Sequence, residues 1–277
     1  MAQAENQLIE SLARSDRKRV LALCEPVQLV LSEVLHEAGT STRSVLFPVN
    51  GFVSLITHVD HGDGLEVGMV GREGMLGVQL TLGVTAAPMR AVVQGAGEAW
   101  RIGRVPFVRE LARNPALRRL LNRYVYVLML QLATGSACRS YHDLGSRLAR
   151  WLLMSHDRAH RDHFHVTHEF MATMLGVRRV GVTVAAGGLQ ARGFIRYHRG
   201  ELTVLDRPAL EALACSCYEA DRLAYQTHMA AKPARSPAAA AGRIHGTRHM
   251  HTAAPMTVRQ RTDALGNQPQ IELLHRS

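Results

Sequence analysis

Cysteine is sparse in this 277-residue chain: Cys24, Cys138, Cys215 and Cys217 are the only four, and they are scattered. Disulfide frameworks and zinc clips use paired, wider spacings, and Cys215-Ser216-Cys217 is too tight for a CxxC clip, so free thiols and no metal are expected. No run of eighteen apolar residues exists, which argues against a membrane-spanning helix. The N-terminus MAQAENQLIE lacks the basic and apolar regions of a secretory signal. A soluble cytoplasmic protein is the expectation. Lys18 and Lys232 are the only lysines, so arginine carries almost all the positive charge. Gly68, Gly71, Gly74 and Gly77 recur every three residues, but no Lys-Ser/Thr follows, so they form no P-loop; they read as tight bends. No Ser-His-Asp or paired-carboxylate arrangement stands in an interpretable context, and no enzyme or cofactor is expected.

The net charge of +10 is unevenly placed. Residues 1–100 hold 7 Lys/Arg against 11 Asp/Glu, residues 101–140 hold 8 against 1, residues 141–230 hold 11 against 9, and residues 231–277 hold 7 against 2. A polyanion would therefore be met by the second part of the chain and avoided by the first.

The texture also changes along the chain. Leu8, Ile9, Leu12, Val20, Leu21 and Leu23 give a helical reading before Pro26. Residues 27–102 are short β-type runs broken by glycines, with Asn50-Gly51 read as a hairpin turn and Gly95 and Gly97 lying between strand pieces. This density of strands predicts a small antiparallel roll. Asn114-Pro115 opens a helix of about twenty residues with Leu117, Leu121, Tyr124 and Leu128 at spacings of four, three and four. So broad an apolar face needs a partner along its length: the chain's own roll could cover one side and a twin helix the other, and a homodimer through these four residues is the expectation. A helix at 142–154 leads onward, FIRYHRGELTVLD reads as two strands around Arg199-Gly200, and a helix at 208–228 closes the order. Residues 229–277, rich in Ala, Pro, Arg and His without periodicity, read as a disordered basic tail.

Residues 167–195, THEFMATMLGVRRVGVTVAAGGLQARGFI, carry the spacing of a helix-turn-helix. Ala172 keeps the helix crossing small, Gly176 supplies a turn residue free to take positive φ, and Val182 points back at the first helix. Met171, Met174 and Leu175 form one inner face; Val182, Ala185, Ala186 and Leu189 form the other. Arg178, Arg179 and Thr183 are left outside, where a groove-reading helix carries its contacts. Thr167, Gly181 and Arg199 complete the expected DNA-facing set.

With roll, long helix, helix-turn-helix and wing in that order, the chain resembles the Crp/Fnr family of bacterial transcription regulators over roughly residues 25–228. The marks are VGMVGREGMLG (67–77), VQGAGEAWRI (93–102), RLARWLLMSHDR (147–158), THEFMATMLGVRR (167–179) and FIRYHRGELTVLDRPALEALACSCY (194–218). The resemblance implies an α+β chain. An N-terminal cyclic-nucleotide-binding-like roll of the double-stranded β-helix type would occupy 1–110 with its helices, a dimerisation helix 111–140, and a winged helix-turn-helix 141–228. It further implies a homodimer on palindromic promoter DNA, with RNA polymerase as a further partner.

Family members that bind cyclic nucleotides hold ribose with a Gly-Glu pair and phosphate with an Arg-Ser pair. The matching positions here are Gly77 and Val78, then Ala87 and Pro88, with Arg90 displaced nearby. Without an arginine fork and hydroxyl donors an anionic phosphate has no partner, so cyclic AMP is not an expected ligand. Val180 and Gly181 stand where the family carries polar side chains, and Gly187-Gly188 weaken the reading helix by about 1 kcal/mol each. The rival reading is a metal-dependent β-roll enzyme using His156, His160, His163, His165 and His168, which lack the fixed spacing of a zinc site.

Overall fold

The computed structural model describes residues 6–58, 64–159 and 161–230. The expected disordered tail lies, from residue 231 on, outside the described residues. Helices α1 (Gln7–Glu10) and α2 (Arg14–Leu21) precede strands β1 (Glu25–Leu29), β2 (Val34–His36), β3 (Ser44–Thr57) and β4 (Leu65–Val70). A 3-10 turn at Val78–Leu82 leads to β5 (Arg90–Gly103), then α3 (Arg104–Arg113) and α4 (Pro115–Tyr141). The second half runs α5 (Leu144–Ala159), β6 (His163–His165), α6 (His168–Leu175), α7 (Arg179–Ala191), β7 (Ile195–His198), β8 (Glu201–Val204), α8 (Arg207–Leu213) and α9 (Cys217–Met229).

The roll is an antiparallel sheet ordered β1-β5-β3-β4, with β2 also paired to β5. Asn50-Gly51 is not a hairpin turn. β3 runs straight through it, and the register against β5 shifts on both sides of Asn50. Gly51 takes φ +76, and a Cβ there would stand 2.3 Å from the Gly95 carbonyl oxygen. The pair therefore builds a bulge that bends a 14-residue strand, a use of positive φ that sequence does not separate from a two-residue turn. Asn50 Oδ1 accepts the Glu98 amide at 2.9 Å, replacing a ladder bond that the bulge removes. Gly95 and Gly97 likewise lie within one continuous β5.

The glycine series also plays another part than the expected one. Gly77 does turn the chain, at φ +87. Gly71 and Gly74 instead make room for neighbours: a Cβ at Gly74 would meet the Tyr124 hydroxyl at 2.0 Å, and one at Gly71 would meet Arg158 Cγ at 2.7 Å. The loop between β4 and the 3-10 turn is thus where the roll receives side chains from α4 and α5.

α4 begins where expected, with Asn114 Oδ1 accepting the Leu117 amide at 3.0 Å and Pro115 at its start. It runs 27 residues rather than about twenty. Leu117, Leu121 and Tyr124 are buried in a core shared with Phe47, Met75, Ile102 and Phe107, and Leu128 packs against it. The proposed dimer stripe is thus consumed within the protomer, because the roll and α3 cover the helix's most apolar face. The face left exposed is Asn122, Tyr126, Met129, Ala133, Ser136 and Ser140.

The closing helix expected at 208–228 is two helices, α8 and α9, broken at 214–216. β6 pairs with β8 and was not foreseen; three residues carry too little periodicity to announce a strand. No helix among the described residues is long and apolar enough to cross a membrane.

Candidate nucleic-acid interface

α6 and α7 form the hairpin that the spacing predicts. Thr167 caps α6, its Oγ1 accepting the Phe170 amide at 3.1 Å. Gly176 ends the helix in the left-handed region (φ 62, ψ 46), which a Cβ would strain. Met171, Ala172, Met174 and Leu175 are buried against Val182, Ala186 and Leu189, with Ala185 partly buried beside them. Burial of these residues fixes α7 on α6 and settles which side of α7 looks outward.

That outer side starts with Arg178 at the N-cap and Arg179 at the first helical position, both exposed. Arg179 lies 3.8 Å from Glu169, but both side chains are about 70% exposed (69% and 73%), so water screens the pair and the guanidinium stays available. Val180 and Val184 follow, 67% and 71% exposed, with Gly187 and Ala191 one and two turns on. The outer face is therefore two arginines at one end and a smooth apolar ridge behind them.

Two of the expected contacts move. A Cβ on Gly181 would stand 3.0 Å from Leu144 Cδ2, so this position faces α5 and not outward. Thr183 is exposed, but its Oγ1 lies 3.1 Å from both the Arg179 carbonyl and His168 Nδ1. It holds α7 against the start of α6. His168 stacks on Tyr197 at 4.4 Å between ring centroids, tying the wing to the same corner. Burial, with Arg179 adding, pulls its pKa below the ordinary histidine value, so neutral imidazole is favoured there. Tyr197 is the residue that sequence reading missed. Nothing but its place two residues before the wing turn marks it.

Arg199 sits at the tip of the wing with φ 49, followed by Gly200 at φ 87. Two successive positive φ values make the tight turn that matches strand twist, and they carry the Arg199 side chain out into solvent.

The effector positions do converge, though on little space. Gly77, Val78, Ala87 and Pro88 line a cavity of about 50 Å³ together with Leu55 and Leu128. Ligand sites run to roughly 300–1,000 Å³, so this space is several times too small for one. Arg90 is not in it and pairs with Glu37 at 3.4 Å.

The histidines of the rival reading disperse. His156 bonds Asp162 and Arg207, His165 bonds Glu201, His168 stacks on Tyr197, and His163 is exposed; His160 lies outside the described residues. Four other residues do draw together, Cys138, His142, Cys215 and Cys217; the cysteines are free thiols as expected, but three of them are gathered rather than scattered.

A family model described as a Crp-like helix-turn-helix domain matches residues 146–213. No curated protein sequence matches the chain. Among solved structures, FixK2 from Bradyrhizobium japonicum aligns with TM-score 0.60 at 13% identity, over 70% of this chain and 98% of that one. The c-di-GMP-responsive global regulator CLP of Xanthomonas campestris aligns with TM-score 0.56 at 16% identity, over 69% and 99%. A protein of Eubacterium rectale, described as a Crp/Fnr-family transcriptional regulator, aligns with TM-score 0.55 at 18% identity, over 77% and 100%. The enzyme reading has no counterpart among them. The order of roll, long helix and winged hairpin is that of these structures: the chain has the fold of a Crp/Fnr-type transcriptional regulator, with a Crp-like helix-turn-helix domain over residues 146–213.

Proposed function

We propose that the protein is a homodimeric, sequence-specific regulator that reads palindromic promoter DNA with α7, and that its roll answers to a signal other than cyclic AMP. The observation that carries the reading is the outer face of α7. Arg178 and Arg179 stand exposed at the end of the helix that enters a major groove, where arginine can pair bidentately with guanine. Val180 and Val184 behind them offer methyl groups to thymine C5-methyls, a contact that polar residues at these positions would not make. Thr167 at the start of α6 and Arg199 at the wing tip are placed for phosphate contacts that set register. RNA polymerase is the further partner of a promoter-bound dimer.

Dimerisation is assigned to the exposed face of α4. Asn122, Tyr126, Met129, Ala133, Ser136 and Ser140 recur at spacings of four, three, four, three and four, a seam along which two such helices pair. Met129 and Tyr126 are 62% and 48% exposed, and the residues beyond them are small enough for close approach. The tight apolar cavity of the roll supports the view that an anionic nucleotide has no place there.

Anisotropy titration of the full chain on fragments of bound genomic DNA tests the reading. Replacing Arg178 and Arg179 together by alanine should weaken specific binding at least about tenfold, since each good pair discriminates by about 1–3 kcal/mol. The thermal transition should stay unchanged, because both side chains are exposed. Undiminished binding by that variant would remove α7 as the reader. Met129→Arg should leave a monomer in light scattering.

A further inference from the structure

The last turn of α4 and the break between α8 and α9 bring together four side chains that neither the fold nor the DNA-binding surface uses. Cys138 lies in the last turn of α4, and His142 is the residue on which that helix ends. Four residues apart, they project from neighbouring positions of one helix face. Cys215 and Cys217 flank Ser216, where the chain breaks before α9, so both sulfurs turn to the same side. One ligand atom from each of the four lies within 4.8 Å of every other. Cys138 Sγ is 3.4 Å from Cys215 Sγ, and Cys217 Sγ is 3.6 Å from His142 Nδ1.

We propose that Cys138, His142, Cys215 and Cys217 form a four-ligand site for one thiophilic divalent cation, zinc first among them. A tetrahedral ion with bonds of about 2.3 Å to sulfur and about 2.0 Å to nitrogen places its ligands roughly 3.5–3.8 Å apart. The two separations above lie close to that span, and a polynuclear cluster would need its ligands spread wider. Three thiolates and one imidazole make a closed structural donor set with no open position for substrate.

Cysteine as plain core filler is the other use of buried thiols, and the packing opposes it. The three buried sulfurs cluster with one another and stand apart from the three apolar cores. The surroundings are cationic. Arg150, its side chain 14% exposed and held by Asp221 at 2.6 Å, lines the same pocket as Cys138, with Arg139 and Arg147 beside it. Binding forms three metal–sulfur bonds and one metal–nitrogen bond and releases the three thiol protons to solvent. The ion's mechanical effect is to tie α4 to the start of α9 across the joint where α5 begins.

Titration of the full chain, purified under reducing conditions and stripped with chelator, decides the matter. One equivalent of cobalt(II) should give intense thiolate-to-cobalt charge-transfer bands with the d–d bands of a tetrahedral ion, and one equivalent of zinc(II) should abolish them. The charge-transfer bands separate this site from imidazoles elsewhere in the chain. Cys215→Ser and Cys217→Ser should each weaken zinc at least about 100-fold, with Cys24→Ser unchanged. Zinc should raise the thermal transition of the parent chain and not of the serine variants. If a serine variant fails to fold, alkylation of the parent chain replaces it: zinc should slow alkylation of Cys138, Cys215 and Cys217 and leave the rate at Cys24 unchanged. Absence of charge-transfer bands, their undiminished survival in folded Cys215→Ser and Cys217→Ser, or alkylation rates at Cys138, Cys215 and Cys217 that zinc leaves unchanged would overturn the proposal. So would a Cys138–Cys215 disulfide that resists reduction.

Discussion

In the winged-helix half, the elements are closed by residues beside them. Thr167 caps α6, Gly176 ends it, and Asp206 Oδ1 accepts the Ala209 amide to start α8. In the roll, the same residue types serve partners far along the chain. Asn50 accepts an amide 48 residues away, Gly51 makes room for the carbonyl of Gly95, and Gly74 makes room for the ring of Tyr124. The difference teaches that a turn-forming residue in one half can be judged from its neighbours, while in the other its meaning depends on what the fold brings against it. Substitutions test that difference directly.

The largest effect belongs to the hairpin's inner face. Val182 is fully buried between α6 and α7, and Val182→Asp would place a carboxylate there with no cation to meet it. Loss of the cooperative thermal transition in the C-terminal half is expected; a variant melting within a few degrees of the parent would show that α7 does not sit on α6 as described. The roll's equivalent is Gly51→Ala. The new Cβ would meet backbone rather than a movable side chain, at a φ that alanine tolerates poorly, so a loss of at least about 2 kcal/mol is expected in denaturant unfolding. A hairpin-turn glycine facing solvent would cost less, so a small loss would restore the discarded turn.

Where the two halves meet, the difference takes the form of pH. Glu66 on β4 is half-buried, accepts hydrogen bonds from Ser54 and from Trp151 Nε1 (2.8 Å), and loss of solvent around its carboxyl pushes its pKa up to about 7 from 4.5. Arg158 and Arg150 oppose that rise but do not cancel it. Below pH 4.5 the carboxyl is neutral folded or unfolded and costs nothing. Between pH 4.5 and 7 the unfolded chain gives up the proton first, so this group's contribution to stability falls as pH rises. Glu66→Gln keeps the shape without the titration. It should stabilise the protein at pH 8 by about 1–3 kcal/mol, and the advantage should vanish toward pH 4.5. A difference independent of pH would mean that the carboxylate is already charged when folded. The smallest effect is expected at Gly187, where a Cβ meets open space. Gly187→Ala should stabilise by about 0.5–1 kcal/mol through helix propensity alone, read as a rise of a few degrees in the melting temperature.

The helical hairpin, the wing turn and the start of α4 were all legible in the chain, because a cap, a glycine and a 3.6-residue period act within a few positions. The bulged continuity of β3 and β5 was not, since Asn-Gly fits a turn and a bulge equally well until its partner strand is known. The direction of α4 was misread for a related reason. Periodicity shows that Leu117, Leu121, Tyr124 and Leu128 share a face, but not whether the roll or a second helix covers it. On α7, helical phase left Arg178, Arg179 and Thr183 exposed as read, and put only Gly181 on the wrong side, against Leu144. The Cys138-x3-His142 and Cys215-x-Cys217 pairs were also present in the chain. Each is too short to signal a site until the fold brings α4 beside α9.

One feature of the packing bears on how long such a molecule lasts. Phe52, Ile56 and Met69 of the roll lie in the same core as Trp151, Leu152 and Met171, and buried Arg158 pairs with Glu73 across the boundary at 2.8 Å. A protease that severed the chain near the start of α5 would strip oily surface from both fragments at once and leave a bare guanidinium in one of them. A chain nicked there is therefore expected to melt below the intact one, with both halves losing stability together.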